Sequence, residues 1–261
     1  NDAFGVSHRE HASVHGIKQF FQDNKYKGIL MDQELKELNK IKHHPPQPLT
    51  LVIGGSKVSS KIKLLEYFLG TADSIIIGGG MAFPFIKLLN GEIGKSLCKD
   101  SELLVAMSFI KKAEKTKTKI ILPLDCVASA EIKSQAKTII VDIKEIPDNY
   151  MGLDIGPKSI ALFSSVIFQS KSILWNGPMG VFEINEFSEG TNSIARAITD
   201  ELNKEIYSLA GGGDTLAAIS KIGINNKFSY LSTGGGAMLE FFQGHSLPGI
   251  TKLKSLVDLT N

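Results

Sequence analysis

The sequence predicts an α/β fold, a Rossmann-like parallel sheet with helices on both faces. Short β-branched runs alternate with stretches of helical periodicity, and the runs are apolar over nearly their whole length, which is typical of strands buried on both faces. Glycines directly follow most of these runs. The predicted strands are 51–53, 74–77, 120–122, 138–141, 172–175, 206–209 and 228–231, and the predicted helices are 30–41, 57–69, 101–114, 158–169 and 189–202.

Composition and charge exclude several classes of function. The 29 Lys and Arg residues nearly balance the 27 Asp and Glu residues, for a net charge of +2, so we expect neither nucleic acid nor a membrane as a partner. The two cysteines, Cys98 and Cys126, lie in apolar contexts and predict free, buried thiols in a reducing cytoplasm. No apolar run reaches about 18 residues, and no secretory signal pattern is present, which predicts a soluble cytoplasmic protein. The first residue is Asn1 rather than Met, so we expect a piece of a longer protein.

Two features precede the predicted sheet. Arg9 lies among histidines, which favours an anion contact. The helix predicted over 30–41 has acids early and lysines late, as its dipole favours, and prolines at 45, 46 and 48 end it. We predict a domain boundary at these prolines.

Glycine-rich loops follow five of the predicted strands. Because ligands bind outside the carboxyl ends of parallel strands, these loops should share one edge of the sheet. Glycine lets the backbone approach a phosphate and present its N–H groups, so the set predicts a nucleotide or a similar phosphorylated ligand. The alternative is that each loop is only a tight turn between a strand and a helix. The loops are at 54–55, 78–80, 176–178, 211–213 and 234–236.

Charged residues accompany these loops. Asp214 follows three glycines at the start of a predicted helix, and a carboxylate there tolerates a phosphate only with a divalent cation between them, so the stretch predicts Mg²⁺. Alternatively, Asp214 is an N-cap. Lys57 and Lys61, four residues apart on one face of a predicted helix, favour a shared anion, and solvated surface lysines are the alternative. Neither the spacing of a Walker A loop nor a dinucleotide fingerprint is present.

The loop after the strand at 172–175 suits a nucleoside. Asn176 would face phosphate, Pro178 and Val181 would contact ribose or base, and Glu183 would accept hydrogen bonds from ribose hydroxyls. A turn with a surface Glu is the alternative. The N–H groups at 233–236 could hold a second, transferring phosphoryl group.

Together, and in the same order and spacing, these motifs resemble the C-terminal portion of phosphoglycerate kinase, over essentially the whole chain. The resemblance implies a glycolytic enzyme that transfers a phosphoryl group reversibly between 1,3-bisphosphoglycerate and Mg-ADP, giving 3-phosphoglycerate and ATP. It also implies a monomer. The motifs that carry it are 1–5 with His8 and Arg9, 54–61, 78–82, 175–183, 211–215 and 232–236.

The resemblance implies four segments. Residues 1–27 would be a remnant of an N-terminal domain for 3-phosphoglycerate, 28–47 an interdomain helix and hinge, 48–244 the nucleotide-binding domain, and 245–261 a tail that returns to the N-terminal domain. With the N-terminal half absent, the chain alone should bind nucleotide but transfer little.

Carried over to this chain, the resemblance assigns Lys57 to the phosphoryl group in flight and Lys61 to the nucleotide phosphates. Asp214 would hold Mg²⁺, Arg9 would help to hold the phosphoglycerate, and the backbone at Gly235 and Gly236 would cap the transferring group. The further nucleotide contacts predicted are Gly55, Gly79, Leu97, Gly152, Leu153, Asn176, Pro178, Val181, Glu183, Gly212, Gly213, Asp214 and Thr215.

Two departures from the family pattern matter. Ser60 stands where the family usually has Asp, which puts any orienting role of that carboxylate in doubt. Most of the family's basic cluster for 3-phosphoglycerate has no counterpart in these residues. A non-catalytic nucleotide-binding module is therefore a second hypothesis, and a dinucleotide-dependent oxidoreductase, supported only by the fold class, is a third.

Overall fold

A parallel sheet of six strands forms the centre of the fold in the computed structural model, which describes residues 1–200 and 205–255. The described strands are β1 (Leu49–Ile53), β2 (Ser74–Ile77), β3 (Glu92–Ile93), β4 (Lys119–Ile121), β5 (Asp125–Ser129), β6 (Thr138–Asp142), β7 (Glu145–Ile146), β8 (Met151–Ile155), β9 (Ser172–Asn176), β10 (Tyr207–Gly211) and β11 (Tyr230–Ser232). The central sheet has the order β11-β10-β9-β1-β2-β4, and every neighbouring pair is parallel. The carboxyl ends of these six strands therefore share one edge, as predicted.

Helices cover both faces of this sheet. The described α-helices are α1 (Ile29–His43), α2 (Ile62–Tyr67), α3 (Phe83–Leu88), α4 (Asp100–Ala113), α5 (Pro157–Phe168), α6 (Glu189–Ile198), α7 (Gly213–Lys221) and α8 (Gly236–Phe242). Buried side chains of β1 alternate between the two faces, as a strand requires. Leu51 and Ile53 pack in a cluster with α1, α2, α4 and α8, whereas Val52 packs in a second cluster with α5, α6 and α7. The predicted fold class is confirmed.

The structure also bears on the cysteines and on membrane-spanning helices. Both cysteines are free thiols, with Cys126 buried and Cys98 half-buried. Within the described ranges, every helix is too short or too polar to cross a lipid bilayer.

One predicted strand does not belong to the parallel sheet. The run at 138–141 forms β6, which pairs antiparallel with β5 in a separate sheet of order β6-β5-β8. Its side chains alternate between exposed and half-buried, which is the pattern of a strand with one solvated face. The β-branched composition predicted a strand correctly, but it did not distinguish the two kinds of sheet.

Two predicted helices differ from the structure by more than two residues at one end. The helix expected over 57–69 begins only at Ile62, because 57–61 form a turn in which Ser60 Oγ donates to the Lys57 carbonyl at 2.8 Å. Serine side chains that bond the nearby backbone compete with helix formation. The prediction that Lys57 and Lys61 share one helix face is therefore wrong. The helix expected over 189–202 ends at Ile198, and residues 201–202 lie outside the described ranges.

Replacement of Phe163 by Ala should lower the free energy of unfolding by about 3–5 kcal/mol, because its ring is fully buried and its loss leaves a cavity. Urea unfolding followed by circular dichroism measures this. Phe168, on the same helix, is 45% exposed, so Phe168→Ala is the matched control and should cost less than about 1 kcal/mol. Equal losses for the two variants would contradict the assignment of Phe163 to the core.

Candidate functional site

The loops after β1, β2 and β9 meet at the carboxyl edge of the sheet through backbone contacts. The Gly55 N–H donates to the Pro178 carbonyl at 2.9 Å, and the Met81 N–H donates to the Gly55 carbonyl at 2.9 Å. A Cβ on Gly54 would lie 2.1 Å from the Pro178 oxygen, so this crossing requires glycine. Loops that the sequence predicted one by one therefore form a single surface.

Lys61 connects the ends of β1 and β9. Its Nζ donates to the carbonyls of Gly54 at 2.7 Å and Asn176 at 2.9 Å. Burial lowers the pKa of Lys61 to about 8, and the negative charge of Asp214 opposes part of that shift. A bound anion would restore the full positive charge of this lysine. Lys57, in contrast, is exposed on the turn before α2.

The loop after β10 brings Asp214 to the same edge. Gly212, with φ +98°, is the N-cap residue of α7, and Asp214 lies exposed in the first turn, so the interpretation of Asp214 as the N-cap is wrong. The Asn176 amide donates to the carbonyl that ends β10 at 2.7 Å, and the Gly177 N–H donates to Thr215 Oγ1 at 2.7 Å. These two bonds fix the start of α7 against the loop after β9.

A cleft of about 350 Å³ opens beside these loops. Its lining combines the loops of the central sheet with residues from β5 and β8, and most of that lining is glycine or apolar side chains. An apolar cleft with a few polar groups suits a base and a sugar. The predicted contacts that line it are Gly55, Gly79, Leu97, Gly152, Leu153, Pro178, Val181, Glu183 and Asp214.

The other predicted nucleotide contacts surround the cleft rather than line it. Asn176 and Thr215 are buried, and their side chains hold the loops together. Gly212 and Gly213 form the start of α7. A direct contact between the Asn176 amide and a phosphate stays a prediction.

A second group of predicted residues lies at the end of β11. Gly235 has φ +48°, and α8 begins at Gly236. A Cβ on Gly236 would lie 2.9 Å from His8 Nε2, and the same nitrogen accepts a hydrogen bond from Arg9 Nε at 3.3 Å. The structure therefore brings Arg9 to the turn before α8. Neither that turn nor Arg9 is among the described residues that line the cleft.

Sequence analysis missed Glu34, which holds this second group in place. Its side chain on α1 is fully buried, and its carboxylate accepts hydrogen bonds from Ser232 Oγ at 2.8 Å, from the Thr233 N–H at 2.8 Å and from Thr233 Oγ1 at 2.9 Å. The signal was present, since Glu34 lies on the same helical stripe as the buried Leu38 and Ile41.

Asp154, in the wall of the cleft, was also missed. Its carboxylate is buried and accepts hydrogen bonds from the N–H groups of Ile155 at 2.9 Å and Gly190 at 2.6 Å. Burial raises the pKa of Asp154 to about 8 despite these two bonds. A Cβ on Gly180 or Gly190 would lie 2.3 Å from Asp154 Oδ1, so both glycines make room for it. Asp154 thereby connects β8 to the start of α6.

Known proteins that resemble this chain share one description. The family model described as phosphoglycerate kinase matches residues 1–245. The phosphoglycerate kinase of Thermosipho africanus is 45% identical over 262 residues, which is 100% of this chain and 65% of that protein.

Solved structures agree with this similarity. The phosphoglycerate kinase structure from Coxiella burnetii is 40% identical with a TM-score of 0.88, and the match covers 96% of this chain and 64% of that one. The structure from Pyrococcus horikoshii is 30% identical with a TM-score of 0.77, over 97% of this chain and 62% of that one. The chain therefore spans less than two thirds of the length of each of these relatives.

Lys61 should make anion binding at this edge depend on pH. Its pKa of about 8 means that the unliganded lysine loses its charge as the pH rises through 8, whereas a bound phosphate favours the charged form. Binding of Mg-ADP, the ligand that the sequence predicts, should therefore weaken, and take up protons, between about pH 7.5 and 9. Calorimetric titrations in two buffers of different ionisation enthalpy measure this uptake. Lys61→Arg, whose charge is permanent, is the control, and an equal uptake in both proteins would refute the assignment.

Proposed function

Because the chain belongs to the phosphoglycerate kinase family, we propose that it carries the nucleotide-binding half of a phosphoglycerate kinase. The reaction is the reversible transfer of a phosphoryl group between 1,3-bisphosphoglycerate and Mg-ADP, which gives 3-phosphoglycerate and ATP. The observation that carries the proposal is that the apolar cleft has Asp214 in its lining, beside the glycine loops held by Lys61. An apolar cleft and a charged, N–H-rich edge suit the two ends of a nucleoside diphosphate.

The geometry favours one orientation of the nucleotide. The base would lie among the apolar and glycine residues of the cleft, such as Leu153 and Val181. The ribose hydroxyls would then donate to the carboxylate of Glu183, which is exposed in the lining. The phosphates would extend toward the start of α7 and Lys61. Each ligand group thereby meets residues of matching chemistry.

The residues present fit a magnesium ion that binds together with the nucleotide. Within the described ranges, no cluster of three or more His, Cys, Asp and Glu side chains could hold a metal by itself. Mg²⁺ commonly takes only one or two protein carboxylates and completes its shell with phosphate oxygens and water. Asp214 supplies such a carboxylate at the start of α7. When bound, the ion would neutralise charge on the phosphates.

In the transfer itself, the bond between phosphorus and the acyl oxygen breaks while a bond to a β-phosphate oxygen of ADP forms. Such a step needs positioning and electrostatic stabilisation more than covalent chemistry. We assign the exposed Lys57 to the phosphoryl group in flight and Lys61 to the nucleotide phosphates. Arg9 would help to hold the phosphoglycerate, and the N–H groups at Gly235 and Gly236 would cap the transferring group. The hydrogen bond of Arg9 to His8, whose ring lies beside Gly236, supports placing the two groups together.

The same proposal includes the domain organisation and the need for the rest of the protein. The Gly249 N–H donates to the Ser7 carbonyl at 2.8 Å, which supports a tail that returns to the first segment. Phe20 and Phe21 are 77% and 50% exposed in that segment, and two neighbouring exposed aromatic rings support a covering N-terminal half. We propose a monomer in the cytoplasm with no nucleic acid or membrane partner. The segments are 1–27, 28–47, 48–244 and 245–261, of which 256–261 lie outside the described residues.

A coupled assay for ATP formation from 1,3-bisphosphoglycerate and ADP tests the proposal. The chain alone should bind Mg-ADP and form little ATP, and activity should appear in the protein of full family length. Mg-ADP binding without activity in that longer protein would instead favour the non-catalytic nucleotide-binding module. Binding of NAD in preference to ADP would contradict both interpretations.

Substitution of Lys57 and substitution of Asp214 should impair the full-length enzyme in different ways. Lys57→Ala should lower kcat by about 100-fold or more with little change in the KM for ADP, because this amine is assigned to the transition state. Asp214→Ala should mainly weaken Mg-ADP binding, by about tenfold or more. Steady-state kinetics and calorimetry separate the two effects. Similar losses of rate and affinity in both variants would refute this division of roles.

A further inference from the structure

The helix α7 reaches the proposed nucleotide site at both of its ends. Asp214 lies in its first turn and Lys221 is its last residue, which places them about 10 Å apart along the helix axis. The Lys221 Nζ donates to the Phe182 carbonyl at 3.0 Å, to the Glu183 carbonyl at 3.3 Å and to Asn185 Oδ1 at 3.3 Å. All three acceptors belong to the loop between β9 and α6.

We infer that Lys221 is a positioning residue for nucleotide binding, which holds the loop that carries Glu183 at a fixed place relative to Asp214. The inference rests on the proposed function. An ammonium group has three donors, and here each has an acceptor on one loop. Through the side chain of Lys221, the helix α7 thereby connects the proposed phosphate end of the site, at Asp214, to the proposed ribose end, at Glu183.

The loop is held from two directions. On the side of the cleft wall, the Val181 N–H donates to the Leu153 carbonyl at 2.8 Å. From α7, Lys221 reaches the next two residues of the loop, Phe182 and Glu183. Because the loop backbone is bonded at Val181 and again at Phe182 and Glu183, the Cα of Glu183 has a fixed position. The exposed Glu183 carboxylate extends from that position. Loss of one of these two contacts should allow Glu183 to move away from a ribose.

The helix dipole alone does not explain this geometry. A lysine in the last turn of a helix is favoured wherever its ammonium lies, in solvent or at the last carbonyls of its own helix. Lys221 instead directs its ammonium to carbonyls of another loop, nearly 40 residues earlier in the chain. The contact is therefore a tertiary one, and its loss should affect Glu183 more than α7 itself.

The test compares binding of Mg-ADP with binding of Mg-2′,3′-dideoxy-ADP, which lacks the ribose hydroxyls. By calorimetry, the unmodified chain should prefer ADP by about tenfold or more, as expected for hydrogen bonds to a charged acceptor. Lys221→Met should reduce this preference to about threefold or less, while the affinity for the dideoxy nucleotide changes by less than about twofold. Lys221→Arg should retain most of the preference, because it keeps the charge and the donors.

Two further variants complete the experiment. Lys227→Met changes an exposed lysine shortly after α7 and should leave the preference unchanged. Glu183→Gln should reduce the preference by itself, and Lys221→Met should reduce it little further in the double variant, since both changes remove the same ribose contact. A purely structural role of Lys221 would lower the affinity for both nucleotides equally.

The outcomes separate the inference from the function on which it rests. Failure of the unmodified chain to bind either nucleotide would overturn the proposed function. Binding of ADP with an unchanged preference in Lys221→Met, or with equal losses for both nucleotides, would overturn only the role of Lys221. Equal binding of the two nucleotides by the unmodified chain would contradict the contact between Glu183 and the ribose hydroxyls, and would overturn the inference about Lys221 as well.

Discussion

The close crossing of two backbones, at Gly54-Gly55 and Gly177-Pro178, is the constraint on which the candidate site depends. A Cβ at Gly54 would lie 2.1 Å from the Pro178 oxygen, and a Cβ at Gly177 would lie 2.3 Å from the Gly54 oxygen. Because neither position admits a side chain, the ends of β1 and β9 approach closely enough for Lys61 to bond both. The same crossing presents the Gly177 N–H to Thr215 and so fixes the start of α7.

Features set by short-range chemistry were predictable from the sequence, and features set by distant partners were not. The parallel strands and their glycine loops followed from composition, since glycine has few substitutes at a tight crossing. The turn before α2 did not, because besides the local bond from Ser60 to the Lys57 carbonyl it is held by Ser59, whose N–H and hydroxyl bond the carboxylate of Glu102, a partner 43 residues away. The sheet that contains β6 likewise depends on its pairing with β5, which local composition does not encode.

The candidate site was predictable in part. Lys61 and Asp214 stood out by charge beside glycines, whereas Leu97 and Gly152 in the cleft came only from the family resemblance, since no local pattern marks them. Glu34 was visible in principle as a charge on a buried stripe. Asp154 was not, because its burial depends on two glycines, Gly180 and Gly190, that approach it from outside β8.

The two groups of predicted residues have partly different supports. The nucleotide group depends on β1, β9 and β10, whose ends bond one another through Lys61 and Asn176. The group at Gly235 and Gly236 depends on α1, because Glu34 bonds the Thr233 N–H and hydroxyl just before it. Because β11 also pairs with β10, both groups belong to the same sheet, and α1 adds a second support only for the turn that follows β11. The position of that turn relative to the nucleotide group is thus set by two contacts, the pairing of β11 with β10 and the packing of α1 on the edge of the sheet at β11.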